Sequence, residues 1–106
     1  MNITPELEIE MAQDQLEIAI AALADTKPGA KTLQDRQAEV SACLHALQAT
    51  VRNTTHDDPK AWAKAQAEKT GLITRAFADG IEARTAGETK LRPATALEIA
   101  VHFLLS

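Results

Sequence analysis

The segment from Thr32 to Val51 constrains the fold of this chain more than any other part of its sequence. At about 100° per residue around a helix axis, large apolar residues fall on one side of the segment and alanines on the other. The apolar side comprises Leu33, Val40, Cys43, Leu44, Leu47 and Val51, and the other side comprises Ala38, Ala42, Ala46 and Ala49. Alanine lets a neighbouring backbone approach closely. We therefore expect the central helix of a small all-helical domain, packed on both sides.

Capping signals before and inside this segment predict an antiparallel helical hairpin over residues 5–52. Thr4 is a good N-cap and precedes a proline, and the first helix should end near Ala24, before a Pro-Gly loop. Thr32 should cap the second helix, with Asp35 three residues later as in a capping box. A connection this short makes consecutive helices antiparallel neighbours.

The chain after the hairpin also predicts helix. A third helix is expected from Pro59, capped by Asp58, to about Ala86. Gly71 interrupts this segment, and glycine costs about 1 kcal/mol relative to alanine inside a helix. The sequence therefore allows either one long helix or two shorter helices that meet at Gly71.

The last segment, PATALEIAVHFLL from Pro93, predicts a mostly buried final helix because few of its residues are polar. The predicted fold class is all-α, a small four- to five-helix bundle built on the N-terminal antiparallel hairpin. We expect a single helical domain over 1–106, with the hairpin in 5–52 and the C-terminal helices in 59–106.

Charge is distributed unevenly along the chain. The net charge is −4, yet residues 1–58 hold ten acids and four bases, whereas residues 59–92 hold seven bases and four acids. Such asymmetry is a hint about partners, although a solvated helix surface gives the same pattern. Acids recur along one side of the first helix at Glu6, Glu10, Asp14 and Glu17.

A second apolar stripe on the first helix is the strongest functional feature. Leu7, Met11 and Ile18 lie roughly opposite the core-facing residues, with Glu10 and Glu17 beside them. A one-sided surface helix needs no second stripe, but scattered exposed apolar residues are also ordinary. If the stripe is a contact surface, these five residues form a protein interface, and two copies bury the stripe in a homodimer.

The sequence carries no motif for catalysis, a cofactor or a metal. It has no GxSxG and no glycine-rich phosphate loop. The single cysteine, Cys43, lies on an apolar face and excludes an intramolecular disulfide. Only Glu98 and His102 have ligand spacing, and one such pair does not make a zinc site. We expect no enzymatic activity, no cofactor and no metal.

No charged leader with an apolar run opens the chain, and no stretch approaches the ~20 apolar residues of a membrane span. We expect a cytoplasmic protein without membrane contact, in the host cytoplasm if a phage encodes it. The favoured function is a non-catalytic protein-binding module that occupies the surface of a partner protein of unknown identity. Phages and mobile elements encode small accessory and inhibitor proteins of this type.

The alternative is DNA binding by residues 59–92. The segment QAEKTGL, Gln66–Leu72, resembles the second helix and turn of a helix-turn-helix. Downstream, Gly87 followed by Leu91 and PATALEIAVHF resembles the end of antitoxin-type helix-turn-helix repressors, although Gly80 falls inside the recognition helix. The resemblance implies a DNA-binding regulator that contacts bases or phosphates from a helix. The residues implied for DNA contact are Thr74, Arg75 and Arg84.

Overall fold

The computed structural model describes residues 4–77 and 80–106, which form four helices and a small sheet. The helices are α1 (Pro5–Ala24), α2 (Leu33–Thr55), α3 (Pro59–Thr70) and α4 (Ala96–Leu104). The strands β1 (Ile73–Phe77), β2 (Gly80–Arg84) and β3 (Arg92–Pro93) form an antiparallel sheet in the order β1-β2-β3. The chain is therefore mostly helical but not strictly all-α.

The first helix begins where its capping signals predict. The Thr4 Oγ1 accepts a hydrogen bond from the Leu7 N–H at 3.1 Å, and Pro5 occupies the first turn. The helix ends at Ala24, as predicted. By contrast, Thr32 occupies the N-cap position of α2 without a side-chain capping bond, so the predicted capping box is wrong.

The second helix continues beyond residue 52, where the hairpin was expected to end, into a Thr-rich run. It ends at Thr55 rather than near residue 52. The hydroxyls of Thr50, Thr54 and Thr55 each donate to the carbonyl four residues earlier, at 2.7–2.8 Å. These bonds satisfy the hydroxyls inside the helix and so accommodate the threonines. His56 then ends the helix in the left-handed region, at φ 61°.

A β-hairpin replaces the second half of the predicted third helix. Helix α3 ends at Gly71, which has a left-handed φ of 63°. Beyond it, β1 pairs with β2 from Ile73 opposite Arg84 to Phe77 opposite Gly80, and β1 lies at the edge of the sheet. The helical prediction for this segment is wrong because cross-strand pairing within the hairpin overrides the helix propensity of the individual residues.

The last helix, α4, lies at the centre of the fold. The Thr95 Oγ1 accepts from the Glu98 N–H at 3.3 Å, and the Glu98 carboxylate accepts from the Thr95 N–H at 2.9 Å, which completes a capping box. Helix α4 contacts the three other helices and β1. The largest fully buried side chains come from three helices: Leu16, Leu47, Val51 and Val101.

The outer side of α2 is open to solvent. Its predicted apolar side is buried at Leu47 and Val51. The alanines Ala38, Ala42, Ala46 and Ala49, here called the alanine ridge, are exposed. The prediction that α2 is packed on both sides is thus wrong for the single chain. The segment expected to supply another long helix folds as the β1–β2 hairpin, and α4 takes the central place.

Candidate functional site

The predicted interface residues on α1 include a row of exposed apolar side chains. Leu7 is 37% exposed, Met11 52% and Ile18 60%. These three residues, here called the apolar stripe, lie on the side of α1 opposite the buried Ile9 and Leu16. The structure therefore brings them together on one accessible helix face.

Shallow grooves between α1 and α2 link the apolar stripe to the alanine ridge. Met11 and Thr50 line one groove, and Ile18 and Ala42 line another. The stripe and the ridge are therefore neighbouring parts of one outer surface of α1 and α2. Small side chains on α2 make this surface low enough for another helix to approach closely.

The two predicted interface acids differ in their surroundings. Glu10 is exposed, whereas Glu17 is partly buried. With Glu6, Glu10 lines an open groove of about 650 Å³ on the flank of α1 that faces α3 and the start of α4. We call it the acidic groove; its other polar and aromatic lining includes Gln13, Trp62, Gln66 and Lys69.

The residues implied for DNA contact lie on strands instead of a recognition helix. The Thr74 Oγ1 lies 2.8 Å from the His102 Nδ1 of α4, and both residues are partly buried. An Arg84 guanidinium nitrogen donates to the Glu88 carbonyl at 3.3 Å. Arg75 is exposed, opposite a glutamate of β2. Residues 73–77 and 80–84 are extended, so the geometry that the helix-turn-helix alternative requires is absent from them.

A network of charged groups fastens the loop after β2 to the start of α4. The Arg92 guanidinium donates to the Glu88 carboxylate at 2.8 and 3.0 Å and to the Glu98 carboxylate at 2.6 and 3.0 Å. Glu88 also accepts from the N–H and hydroxyl of Thr85, at 2.9 and 2.8 Å. Glu98 accepts from the backbone of Thr95 at 2.9 Å. We call this the Arg92 clamp.

The clamp shifts the pKa of each of its charged members. Hydrogen bonds from Arg92, with help from Thr85, lower the pKa of Glu88 to about 2. Hydrogen bonds from Arg92 also lower the pKa of Glu98, against the opposing effect of burial. The carboxylates of Glu98 and Glu88 raise the pKa of Arg92 in turn. The members are thus charged and mutually paired at neutral pH, as in a structural ion network.

The two residues with ligand spacing have separate partners, since Glu98 pairs with Arg92 and His102 lies beside Thr74. In residues 4–77 and 80–106, no group of three His, Cys, Asp or Glu side chains is placed to hold a metal ion. None of the helices in those ranges combines the length and apolar character needed to cross a bilayer.

No protein-family model, curated protein or solved structure matches the chain.

Proposed function

We propose that this protein is a non-catalytic protein-binding module that forms a homodimer through the outer surface of α1 and α2. The apolar stripe carries the proposal, because Leu7, Met11 and Ile18 are 37%, 52% and 60% exposed on one helix face. Single exposed apolar residues are ordinary, but several on one helix face favour an interaction surface. The neighbouring alanine ridge extends that patch onto α2.

A two-fold axis is the simplest way to cover this surface. In a symmetric dimer the same patch of each copy meets itself, so one stripe buries another. The alanine ridge of each copy lets the helices of the other approach closely. The proposal takes α1 and α2 to be an antiparallel hairpin, and the grooves that pair Met11 with Thr50 and Ile18 with Ala42 support that direction.

The oligomeric state of a charge-bearing variant tests the dimer. Leu7→Glu with Ile18→Glu places carboxylates in the proposed interface, where burial without a partner is costly. We expect the wild type to be a dimer by light scattering and the variant to be a folded monomer with an unchanged circular dichroism spectrum. Ala61→Glu with Ala65→Glu adds the same charge to exposed positions of α3 and should remain dimeric. A wild type that is monomeric at high concentration contradicts the dimer.

The partner of the module is proposed to be a protein with a basic surface. Residues 1–58 carry ten acids and four bases, and such a surface speeds encounters with a positive patch at low salt. We also propose that the protein acts in the cytoplasm, as an accessory or inhibitor protein of the kind that phages and mobile elements encode.

A mobility-shift assay with duplex DNA distinguishes this role from the DNA-binding alternative. We expect no shift at physiological salt. A shift that weakens steeply as salt rises, and that Arg75→Ala with Arg84→Ala abolishes, would favour DNA as the partner instead.

A further inference from the structure

The acidic groove combines three kinds of group that recognise a cation. Glu6 and Glu10 supply two carboxylates one turn apart on α1. Trp62, which is partly buried against the core, supplies an indole ring. Amides of Gln13 and Gln66 supply carbonyl oxygens. Carboxylates, an aromatic face and amide oxygens all favour a positively charged guest.

Gln13 adds to the groove a polar side chain that a guest can reach. It is only 7% exposed, yet it lines the groove. Within the part of the chain that the structure describes, its amide forms no hydrogen bond to another residue, and none of its polar atoms is sealed from solvent without a partner. Buried amides normally have hydrogen-bond partners. The amide of Gln13 is therefore accessible for a partner that enters the groove.

We propose that the acidic groove is a socket for an arginine side chain of the partner protein. A guanidinium is planar and stacks on indole, and its five N–H groups can donate to a carboxylate and an amide oxygen at once. An ammonium group has fewer donors and is more strongly hydrated, so it fits such a mixed set less well. The assignment rests on the proposed function, in which the partner is a basic protein.

One lysine sets the charge balance of the socket. Lys69 of α3 lines the same groove and opposes a cationic guest, while Glu6 and Glu10 attract it. The two carboxylates outnumber the one ammonium group, so the groove remains net negative. Removal of the Lys69 charge should therefore strengthen binding, which a nonspecific apolar groove would not show.

The single tryptophan of the chain makes the proposal directly measurable. Trp62 is the only tryptophan and lines the groove, so its fluorescence reports on the guest. The probe is N-acetyl-arginine amide at constant ionic strength, and the matched neutral probe is N-acetyl-citrulline amide. For a fragment of this size we expect a dissociation constant on the order of 1 mM. Citrulline amide should bind at least tenfold more weakly.

Substitutions separate the socket from general attraction to an acidic protein. Glu6→Gln with Glu10→Gln should weaken arginine amide at least tenfold. Glu8→Gln with Asp14→Asn is the matched control, because it removes the same charge from exposed positions of α1 outside the groove lining. The control should change binding less than twofold.

Two further variants test the amide and the opposing charge. Gln13→Leu keeps the charge and should weaken arginine amide severalfold, with a melting temperature no lower than that of the wild type. Lys69→Gln should strengthen the same probe severalfold.

Several results overturn the socket. They are an unchanged Trp62 signal with arginine amide, equal binding of citrulline amide, or binding of N-acetyl-lysine amide as tight as that of arginine amide. An equal loss of binding in the groove variant Glu6→Gln, Glu10→Gln and the control variant Glu8→Gln, Asp14→Asn also overturns it. The titration does not depend on the dimer, because Leu7→Glu with Ile18→Glu leaves the groove lining intact. A wild type that is monomeric but binds arginine amide thus contradicts only the proposed dimer. A wild type that is dimeric but does not bind arginine amide contradicts only the proposed socket.

Discussion

Gly71 is the residue where α3 stops and the chain turns toward the sheet. Its φ of +63° is left-handed, and a Cβ built there would lie 2.8 Å from the Cβ of Ala86. The Ala86 N–H also donates to the Thr70 carbonyl at 2.9 Å. The end of α3 therefore rests directly against the segment that follows β2, with no room for a side chain between them.

Gly71→Ala should lower the free energy of unfolding. An L side chain in the left-handed region costs roughly 1–2 kcal/mol, and displacement of Ala86 adds to that cost. Gly29→Ala is the matched control, because Gly29 has a φ of +83° and nothing within 4 Å of its added Cβ. Urea denaturation of both variants measures the difference. Equal losses would show that the Ala86 contact contributes nothing.

The structural roles of some residues could be predicted from the sequence, and those of others could not. The caps at Thr4 and Asp58 were predictable because each side chain bonds a backbone N–H three residues later, a purely local interaction. Gln13 and Glu98 are polar residues, yet each is only 7% exposed. Gln13 meets the α3 side of the groove, which is distant in sequence, whereas Glu98 pairs with Arg92 across the turn from β3 into α4.

At the scale of elements, the β-hairpin is the main departure from the sequence prediction. Apolar residues in 73–86 fit a helical period, and alanines favour helix locally. A competing signal is present in Ile81, Glu82, Ala83 and Arg84, where apolar and charged side chains alternate as in a half-buried strand. On β2, the buried Ala83 lies between two partly exposed charged residues, as that period-two pattern requires. Helix α1 has a clear N-cap signal and a broad apolar side, without a competing strand signal.

The Arg92 clamp makes the junction of β3 and α4 sensitive to acid. Glu88 and Glu98 have lower pKa values in the folded chain than an unfolded glutamate, which titrates at about 4.3. Their stabilising contribution is complete above that pH and is lost as the pH falls through the folded values, which for Glu88 is about 2. Stability should therefore decline between about pH 4 and pH 2.

Glu98→Gln should lower stability at pH 7 and flatten its decline in acid. The substitution removes the charge that pairs with Arg92 through two hydrogen bonds, at 2.6 and 3.0 Å. Thermal melts from pH 7 to pH 2 measure both effects. Glu68→Gln, at an exposed position of α3, is the control and should follow the wild-type curve. A Glu98→Gln curve parallel to that of the wild type would exclude Glu98 as an acid-sensitive member of the clamp.

At the scale of the whole molecule, the fold places nearly all of its packing on one side of α2. The core joins α1, α2 and α4 around Leu16, Leu47 and Val101. The alanine ridge lies on the far side, beside the apolar stripe. The sequence pattern correctly indicated that both sides of α2 suit packing, but the single chain covers one. In the proposed dimer the second side is covered by the other copy.

Ala46→Leu distinguishes these two roles of the ridge. In the dimer, the added volume enters a close helix contact and should cost about 1–3 kcal/mol. In the Leu7→Glu, Ile18→Glu monomer, the same change lies in solvent and should leave the melting temperature unchanged. Sedimentation gives the dimer dissociation constant, and thermal melts give the monomer stability. An unchanged dissociation constant would place the ridge outside the interface.

The edge position of β1 has a consequence for the hydrogen-exchange behaviour of its backbone. The Ile81 carbonyl accepts from the Ala94 N–H at 3.0 Å on the β3 side, and Ile81 is opposite Ala76. Because Ile81 bonds to β3, Ile81 and Ala76 form a pair without mutual hydrogen bonds, and their backbone groups point away from each other. The amides of Ala76 and of Thr74, two residues earlier, therefore face away from β2. They should exchange with deuterium quickly, while those of Ile73 and Arg75 are protected. The same alternation leaves the outward-facing backbone N–H and C=O groups of β1 without a neighbouring strand. The charge of Arg75 disfavours the addition of a strand from another molecule at this edge.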